Sequence, residues 1–239
     1  MVSKTPKIVP KDQGSEISAF LDKLSLTPVK KAPDQRGRLI FAMDATMSRQ
    51  PTWDQACHLQ ADMFEAAQQV GGLDTKLIYF RGHRECRASK WHCEAAPLQK
   101  AMSRIECQGG YTQIERVLKR AIKETTDRHV NALVFVGDAV EEEIDAVCAM
   151  AGKLGVMGVP CFLFQEGHEP YAERTFKEIA RLTKGAWCRF DANSAAQLRD
   201  LLQAVAVYAA GGRKALEDYG KRKGGSILQL TQKLEGKGH

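Results

Sequence analysis

Side chains with oxygen donors occur at three separate places in this chain, each next to a predicted strand or helix. Asp44-Ala-Thr-Met-Ser48 follows the apolar run 39–43, and Asp138 follows the apolar run 132–136. Thr112 precedes a segment with helical spacing of apolar residues. The set offers carboxylate and hydroxyl oxygens without histidine or cysteine, and hard cations such as Mg²⁺ prefer oxygen ligands. These residue types therefore predict a divalent-cation site.

The elements that would position these side chains alternate along the chain. The short apolar runs are typical of buried parallel strands, and the segments between them have apolar residues at helical spacing. Segment 87–91 is predicted to pair back as a hairpin strand. Strands are predicted at 39–43, 77–80, 132–136, 159–164 and 186–190, and helices at 53–70, 97–105, 113–124, 144–154, 176–182 and 198–205.

This alternation predicts an α/β fold with a mainly parallel sheet covered by helices on both faces. In such open sheets, ligands bind beyond the carboxyl ends of the strands. Asp44 and Asp138 both follow predicted strands, so we expect them to meet at that edge.

The spacing Asp44-x-Thr46-x-Ser48, followed by Thr112 and Asp138, resembles the metal-ion-dependent adhesion site of von Willebrand factor A domains. The usual first triplet of that family is Asp-x-Ser-x-Ser, and a threonine in its middle keeps the hydroxyl. Ala139 stands where the family often has glycine. The resemblance covers about residues 38–211. It implies a three-layer Rossmann-like fold, with a mostly parallel central sheet, one antiparallel edge strand and helices on both faces.

The resemblance also implies a function. The cation would be Mg²⁺ or Mn²⁺, with Ca²⁺ as an alternative, and a protein partner would donate an Asp or Glu to it. The implied metal ligands, which we call the oxygen cluster, are Asp44, Thr46, Ser48, Thr112 and Asp138. The expected partner-binding rim consists of Met47, Tyr111, His168 and Glu169.

Composition divides the chain into three parts. Residues 1–37 are expected to form an N-terminal arm, partly flexible, with a short helix suggested by apolar residues from Ile17 to Leu24. Residues 38–211 form the predicted domain, and residues 212–239 a basic tail with a second short helix at 227–234. The net charge of +6 is concentrated at the two ends. Few aromatic residues lie among these charges, so we do not expect a nucleic-acid partner.

Several classes of protein are disfavoured. No apolar run approaches the roughly 18 residues that a membrane span needs. The first residues contain no apolar stretch typical of a secretory signal, and the seven cysteines are irregularly spaced. We therefore expect a cytoplasmic protein with reduced thiols. The Gly-x-Ser-x-Gly elbow and the P-loop pattern are both absent, and a binding protein rather than an enzyme is expected.

Some of these residues also fit other structural or functional roles. Thr112-Gln-Ile-Glu115 reads as a capping box, and Asp138 could act similarly before the next helix. A zinc site at the predicted hairpin is a weaker alternative, because the spacing of its candidate ligands matches no standard pattern. Those candidates are His83, Cys86, His92 and Cys93. The alternative functions are a metal-assisted hydrolase, which needs a water-activating base, and a nucleic-acid scaffold acting through the basic tails.

Overall fold

A six-stranded sheet forms the centre of the protein, in the order β3-β2-β1-β4-β5-β6. The computed structural model describes residues 13–28, 36–49, 62–63, 65–67, 72–190 and 195–223. All neighbouring strands are parallel except β3, which runs antiparallel to β2. This topology confirms the predicted fold class. The strands are β1 (Gly37–Asp44), β2 (Leu73–Arg81), β3 (Glu85–Ala88), β4 (Ala132–Gly137), β5 (Cys161–Glu166) and β6 (Ala186–Phe190).

Helices connect the strands, as the alternation predicts. A short 3₁₀ turn at Met47–Arg49 follows β1. Residues 62–63 and 65–67 are helical, and the rest of the helix predicted at 53–70 lies outside the described residues, as does the one predicted at 227–234. The labelled helices are α1 (Gln13–Leu26), α2 (Ala95–Met102), α3 (Ile114–Asp127), α4 (Ile144–Val156), α5 (Pro170–Thr183) and α6 (Ala195–Lys223).

Two hydrophobic cores lie on opposite faces of the sheet, because successive strand side chains point to opposite sides. In β1, Phe41 belongs to the core beneath α1 and α6. Its neighbour Ala42 belongs to the core beneath α3, α4 and α5. Every residue of β1 and β4 is buried, which accounts for their continuous apolar sequences.

The N-terminal helix α1 is part of the first core. Its Phe20 is 1% exposed, and its ring centroid lies 5.8 Å from that of Phe162 and 5.2 Å from that of Phe164. Just beyond the helix, Thr27 donates a hydrogen bond from Oγ1 to the carbonyl oxygen of Lys184 at 3.0 Å. The predicted helix in the arm therefore exists and packs against the sheet.

The last helix continues past residue 211, where the sequence predicts the tail to begin. Gly212 interrupts it with a φ of 76°, a conformation that favours glycine. Beyond this kink, Leu216 and Tyr219 are buried, and the Tyr219 hydroxyl donates to Oε1 of Gln203 at 2.7 Å. Within the described residues, no helix combines the length and apolarity needed to cross a membrane.

Candidate metal centre

The register between β1 and β4 places Asp44 and Asp138 at the same edge of the sheet. Met43 pairs with Val136, so Asp44 ends β1 beside the point where the chain leaves β4. Gly137 is the last residue of β4 and lies beside Asp44. A Cβ atom built there would lie 2.7 Å from the Phe135 ring and 3.6 Å from Cβ of Asp44. This close approach brings the two segments together, as expected for strand ends of a parallel sheet.

The turn after β1 gathers the first three members of the oxygen cluster. Asp44 is 1% exposed, and its Oδ1 accepts a hydrogen bond from the backbone N–H of Thr46 at 2.7 Å. The hydroxyl oxygens of Thr46 and Ser48 lie 3.2 Å apart. Thr46 is buried and Ser48 is exposed. The turn therefore runs from a buried carboxylate to a hydroxyl at the surface.

The loop before α3 lies on the ends of β1 and β2. The backbone N–H of Gln108 donates to the carbonyl of Ala45 at 3.0 Å, and that of Tyr111 donates to the carbonyl of Gly82 at 3.2 Å. Gly110 passes so close that an added Cβ would lie 2.0 Å from the Gly82 carbonyl oxygen. Only glycine fits this approach, and it fixes the position of the next residues, Tyr111 and Thr112.

Thr112 does not cap its helix, so the capping-box interpretation is wrong. The residue that precedes α3 is Gln113, whose side chain makes no capping bond. The first N–H groups of α3 are instead satisfied from the loop after β4, because Glu142 accepts from Ile114 at 2.5 Å and from Glu115 at 2.9 Å. Burial raises the pKa of Glu142, while the two backbone N–H groups act in the opposite direction.

The Thr112 hydroxyl faces the loop after β4. Its Oγ1 accepts from the backbone N–H of Glu141 at 2.8 Å, and the N–H of Thr112 donates to Oε2 of Glu141 at 2.9 Å. A hydroxyl has two acceptor lone pairs and one proton, so this oxygen keeps capacity for a further ligand. The sequence reasoning missed this role of Glu141. The run of three glutamates after Asp138 was the available signal.

Asp138 caps no helix either. Helix α4 begins at Ile144, and the residue before it, Glu143, makes no side-chain cap. Within the described part of the chain, Oδ1 of Asp138 is buried without a hydrogen-bond partner. Burying a carboxylate oxygen without a partner costs free energy, and a cation would satisfy it. This oxygen and the all-oxygen donor set both fit a divalent cation.

The expected rim residues differ in their surroundings. Met47 and Tyr111 are 60% and 58% exposed beside the oxygen cluster, and His168 is also exposed. The Glu169 carboxylate has another role, since it caps α5 by accepting from the N–H groups of Tyr171 and Ala172. Glu169 therefore caps α5, and its place in the rim stays a prediction.

The zinc alternative gains no support. In the parts of the chain that the structure describes, no group of three or more His, Cys, Asp or Glu side chains could hold a metal ion. His92 forms a backbone bridge with Thr75, whereas the His83 ring contacts that of Tyr111 at a centroid distance of 5.2 Å. The oxygen cluster itself contains only two such side chains, because its other donors are hydroxyls.

No protein-family model matches the chain, and no curated protein sequence matches it. Several solved structures, however, are similar to this chain. A von Willebrand factor type A protein from Catenulispora acidiphila is 16% identical with a TM-score of 0.58, over 72% of this chain and 43% of that one. The open pilus adhesin SpaC from Lactobacillus rhamnosus GG is 11% identical with a TM-score of 0.59, over 81% and 31%.

The chain thus spans less than half the length of these two proteins. The SpRpn10 VWA domain, by contrast, is matched over 98% of its length and 74% of this chain, at 10% identity and a TM-score of 0.56. These identities are low, so they bear on the fold alone. Together with the strand order and the antiparallel edge strand, they show that this chain has the fold of von Willebrand factor A domains.

Proposed function

We propose that the oxygen cluster binds one divalent cation, Mg²⁺ or Mn²⁺ with Ca²⁺ as an alternative, and that this cation anchors a protein partner through an Asp or Glu carboxylate. The observation that carries the proposal is the buried Oδ1 of Asp138, which has no hydrogen-bond partner among the described residues. Asp44, Thr46, Ser48 and Thr112 would supply the other oxygens: the first three lie at the end of β1 and in the turn after it, and Thr112 bonds to the loop after β4.

The charge balance favours a carboxylate as the partner's ligand. Two protein carboxylates, Asp44 and Asp138, would match the charge of a doubly charged ion without leaving an excess of negative charge that would repel a third carboxylate. The cation supplies positive charge and open coordination positions. Ser48, Met47 and Tyr111 are exposed, and a partner could approach the ion from this side.

Binding fits the surroundings better than hydrolysis does. A metal-assisted hydrolase needs a base that activates water. Two acidic residues of the loop after β4 are already engaged, because Glu141 accepts from Thr112 and Glu142 accepts from the start of α3. The likeness to a pilus adhesin is in keeping with a binding role.

Calorimetric titration with Mn²⁺ tests the metal site. We expect one site in the unaltered chain. Asp138→Ala should weaken it more than about tenfold, since even second-shell residues contribute about 10–100-fold to metal affinity. Asp145→Ala removes an exposed carboxylate from the first turn of α4 and is the matched control. Equal Mn²⁺ affinity in all three proteins would exclude the proposed site.

A second experiment tests the binding role. A protein captured from cell extract by the immobilised chain should be released by a chelator and recaptured when Mg²⁺ is restored. The same protein should be lost with Thr112→Ala, even at high salt, because the effect is local coordination and not long-range charge. Capture that ignores both the chelator and Thr112→Ala would exclude a metal-mediated partner.

A further inference from the structure

The surroundings of Thr112 carry opposite charges on its two sides. On the β4–β5 side, segments 138–145 and 166–170 contain carboxylates and no lysine or arginine. On the other side, the β2–β3 hairpin and the outer surface of α3 carry a concentration of cations. We call these cations the basic face: Arg84, Arg87, Lys90, Arg116, Lys119, Arg120 and Lys123.

Little of this positive charge is compensated. Arg87 pairs with Glu85 at 2.8 Å, and Lys119 pairs with Glu115 at 2.7 Å. The remaining members of the basic face form no ion pair with any carboxylate among the described residues, and all of them are exposed. A surface with this charge attracts a partner of opposite sign.

Two arginines of the basic face are fixed without losing their charge. Arg116 donates to the carbonyl of Arg84 and to the side-chain oxygen of Gln113, both at 2.5 Å. Arg120 donates to the carbonyl of Cys86 at 2.6 Å. These acceptors are neutral, so the guanidinium groups are held in place while their charges remain available. Fixed groups also lose less conformational entropy when they bind.

The basic face begins directly at the candidate metal centre. Gln113, which contacts Arg116, follows Thr112 in sequence and donates to the carbonyl of Gly82 at 3.3 Å. The His83 ring lies 5.2 Å from that of Tyr111, between the hairpin and the rim. A ligand that reaches the oxygen cluster could therefore continue onto the basic face.

We propose that the partner of the metal site carries an acidic segment, with one carboxylate on the cation and the others along the basic face. This inference rests on the proposed function, because it extends the same binding site. The carboxylates on the β4–β5 side would repel such a segment and so direct it over α3. A nucleic acid fits less well, because single strands stack on aromatic rings, and Tyr111 is the only strongly exposed large aromatic side chain among the described residues.

Fluorescence anisotropy with a short labelled polyglutamate peptide tests the inference, with Mg²⁺ and with chelator. The basic-face variant combines Arg84→Glu, Lys90→Glu and Lys123→Glu. It leaves Arg116 and Arg120 unchanged, and their acceptors are backbone carbonyls that these substitutions keep. The control combines Lys153→Glu, Lys214→Glu and Lys221→Glu, which alter exposed residues elsewhere and change the net charge equally. Mn²⁺ titration and circular dichroism check that both variants fold.

We expect the basic-face variant to bind the peptide at least about tenfold more weakly, since each surface pair contributes modestly, and the control to change less than about twofold. The chelator should weaken binding by the unaltered chain. If the two variants lose peptide affinity equally and binding stays sensitive to the chelator, the inference is overturned but the proposed function is not. Binding that ignores the chelator would overturn the proposed function. Tighter, chelator-independent binding of a labelled oligonucleotide, lost in the basic-face variant, would assign the face to nucleic acid and overturn the inference.

Discussion

Thr112 and Glu141 bond to each other in both directions across two loops. The N–H of Thr112 donates to Oε2 of Glu141, and the N–H of Glu141 donates to Oγ1 of Thr112, at 2.9 and 2.8 Å. One loop precedes α3 and the other follows β4, so the pair sets the spacing between Thr112 and Asp138. The position of one cluster member thus depends on a residue that is not a proposed ligand.

The first prediction concerns the hydroxyl in this pair. Thr112→Ala removes the acceptor of the Glu141 N–H, and we expect a loss of about 1 kcal/mol in the free energy of unfolding. Mn²⁺ affinity should fall as well. Thr112→Ser keeps the hydroxyl and should restore most of both properties. Urea denaturation and calorimetry measure the two effects, and a serine variant as weak as the alanine variant would contradict this role of the hydroxyl.

The second prediction uses two adjacent glycines that differ in their surroundings. Gly110→Ala would place a Cβ 2.0 Å from the Gly82 carbonyl oxygen, whereas a Cβ at Gly109 meets nothing within 4 Å. Gly110→Ala should therefore move the loop that carries Thr112 and weaken Mn²⁺ binding, and Gly109→Ala should leave it nearly unchanged. Comparable Mn²⁺ affinities for the two variants would show that this close contact does not position the site.

The third prediction links the metal to stability. A ligand that binds only the folded state stabilises it by about 2.7 kcal/mol at a concentration of 100 times its Kd. The Tm should therefore rise with Mg²⁺ in the unaltered chain. Asp138→Asn keeps the shape of the side chain but removes its charge, and this variant should lose most of the rise. Scanning calorimetry with Mg²⁺ and with chelator measures the difference, and an equal rise in both proteins would argue against Asp138 as a ligand.

The fourth prediction concerns α1. Phe20 is 1% exposed and contacts two phenylalanines of β5, so Phe20→Ala should lower the free energy of unfolding by about 3–5 kcal/mol. Leu26→Ala on the same helix is the control, because Leu26 is 72% exposed. Chemical denaturation compares them. A small effect of Phe20→Ala would mean that α1 behaves as a dispensable arm.

The fifth prediction concerns the thiols. Burial raises the pKa of Cys161 to about 12, and Cys93 is exposed. A thiol reagent attacks the thiolate, so at pH 8 Cys93 should react quickly in the folded protein and Cys161 only after denaturation. Mass spectrometry of labelled peptides separates the sites. The denatured protein, prepared without oxidant, should show all seven cysteines free; pairs released only by reduction would contradict this.

The sequence was informative about the site where a local pattern determines position. Strand ends follow directly from short apolar runs, so Asp44 and Asp138 could be placed at one edge of the sheet before the register was known. The bond between the Thr112 hydroxyl and the loop after β4 could not be inferred from a local pattern. The capping-box pattern at Thr112 is local, but the actual cap of α3 comes from Glu142, which is 28 residues away from Ile114.

The ends of the chain show the same limit. Residues after Gly212 look like a polar tail because charged side chains dominate, yet Leu216 and Tyr219 are spaced to meet the core once the helix kinks.

In the hairpin, β3 spans Glu85–Ala88, earlier than the predicted 87–91. Beyond the strand, the Ser89 N–H donates to the Leu77 carbonyl at 2.9 Å, but the Leu77 N–H is bonded by the Ser89 side chain, whose hydroxyl oxygen accepts from it at 3.0 Å. Such side-chain bonds leave no periodic signal.

The bonds from Arg116 to Arg84, just before β3, and from Arg120 to Cys86 in β3 also bear on self-association. β3 is the outer strand at its edge of the sheet, and an outer strand presents backbone groups that can pair with another chain and begin aggregation. The two guanidinium groups occupy the carbonyls of Arg84 and Cys86. A second copy adding a strand here would have to displace both, and would bring like charges together. These arginines therefore protect an exposed sheet edge from intermolecular strand pairing.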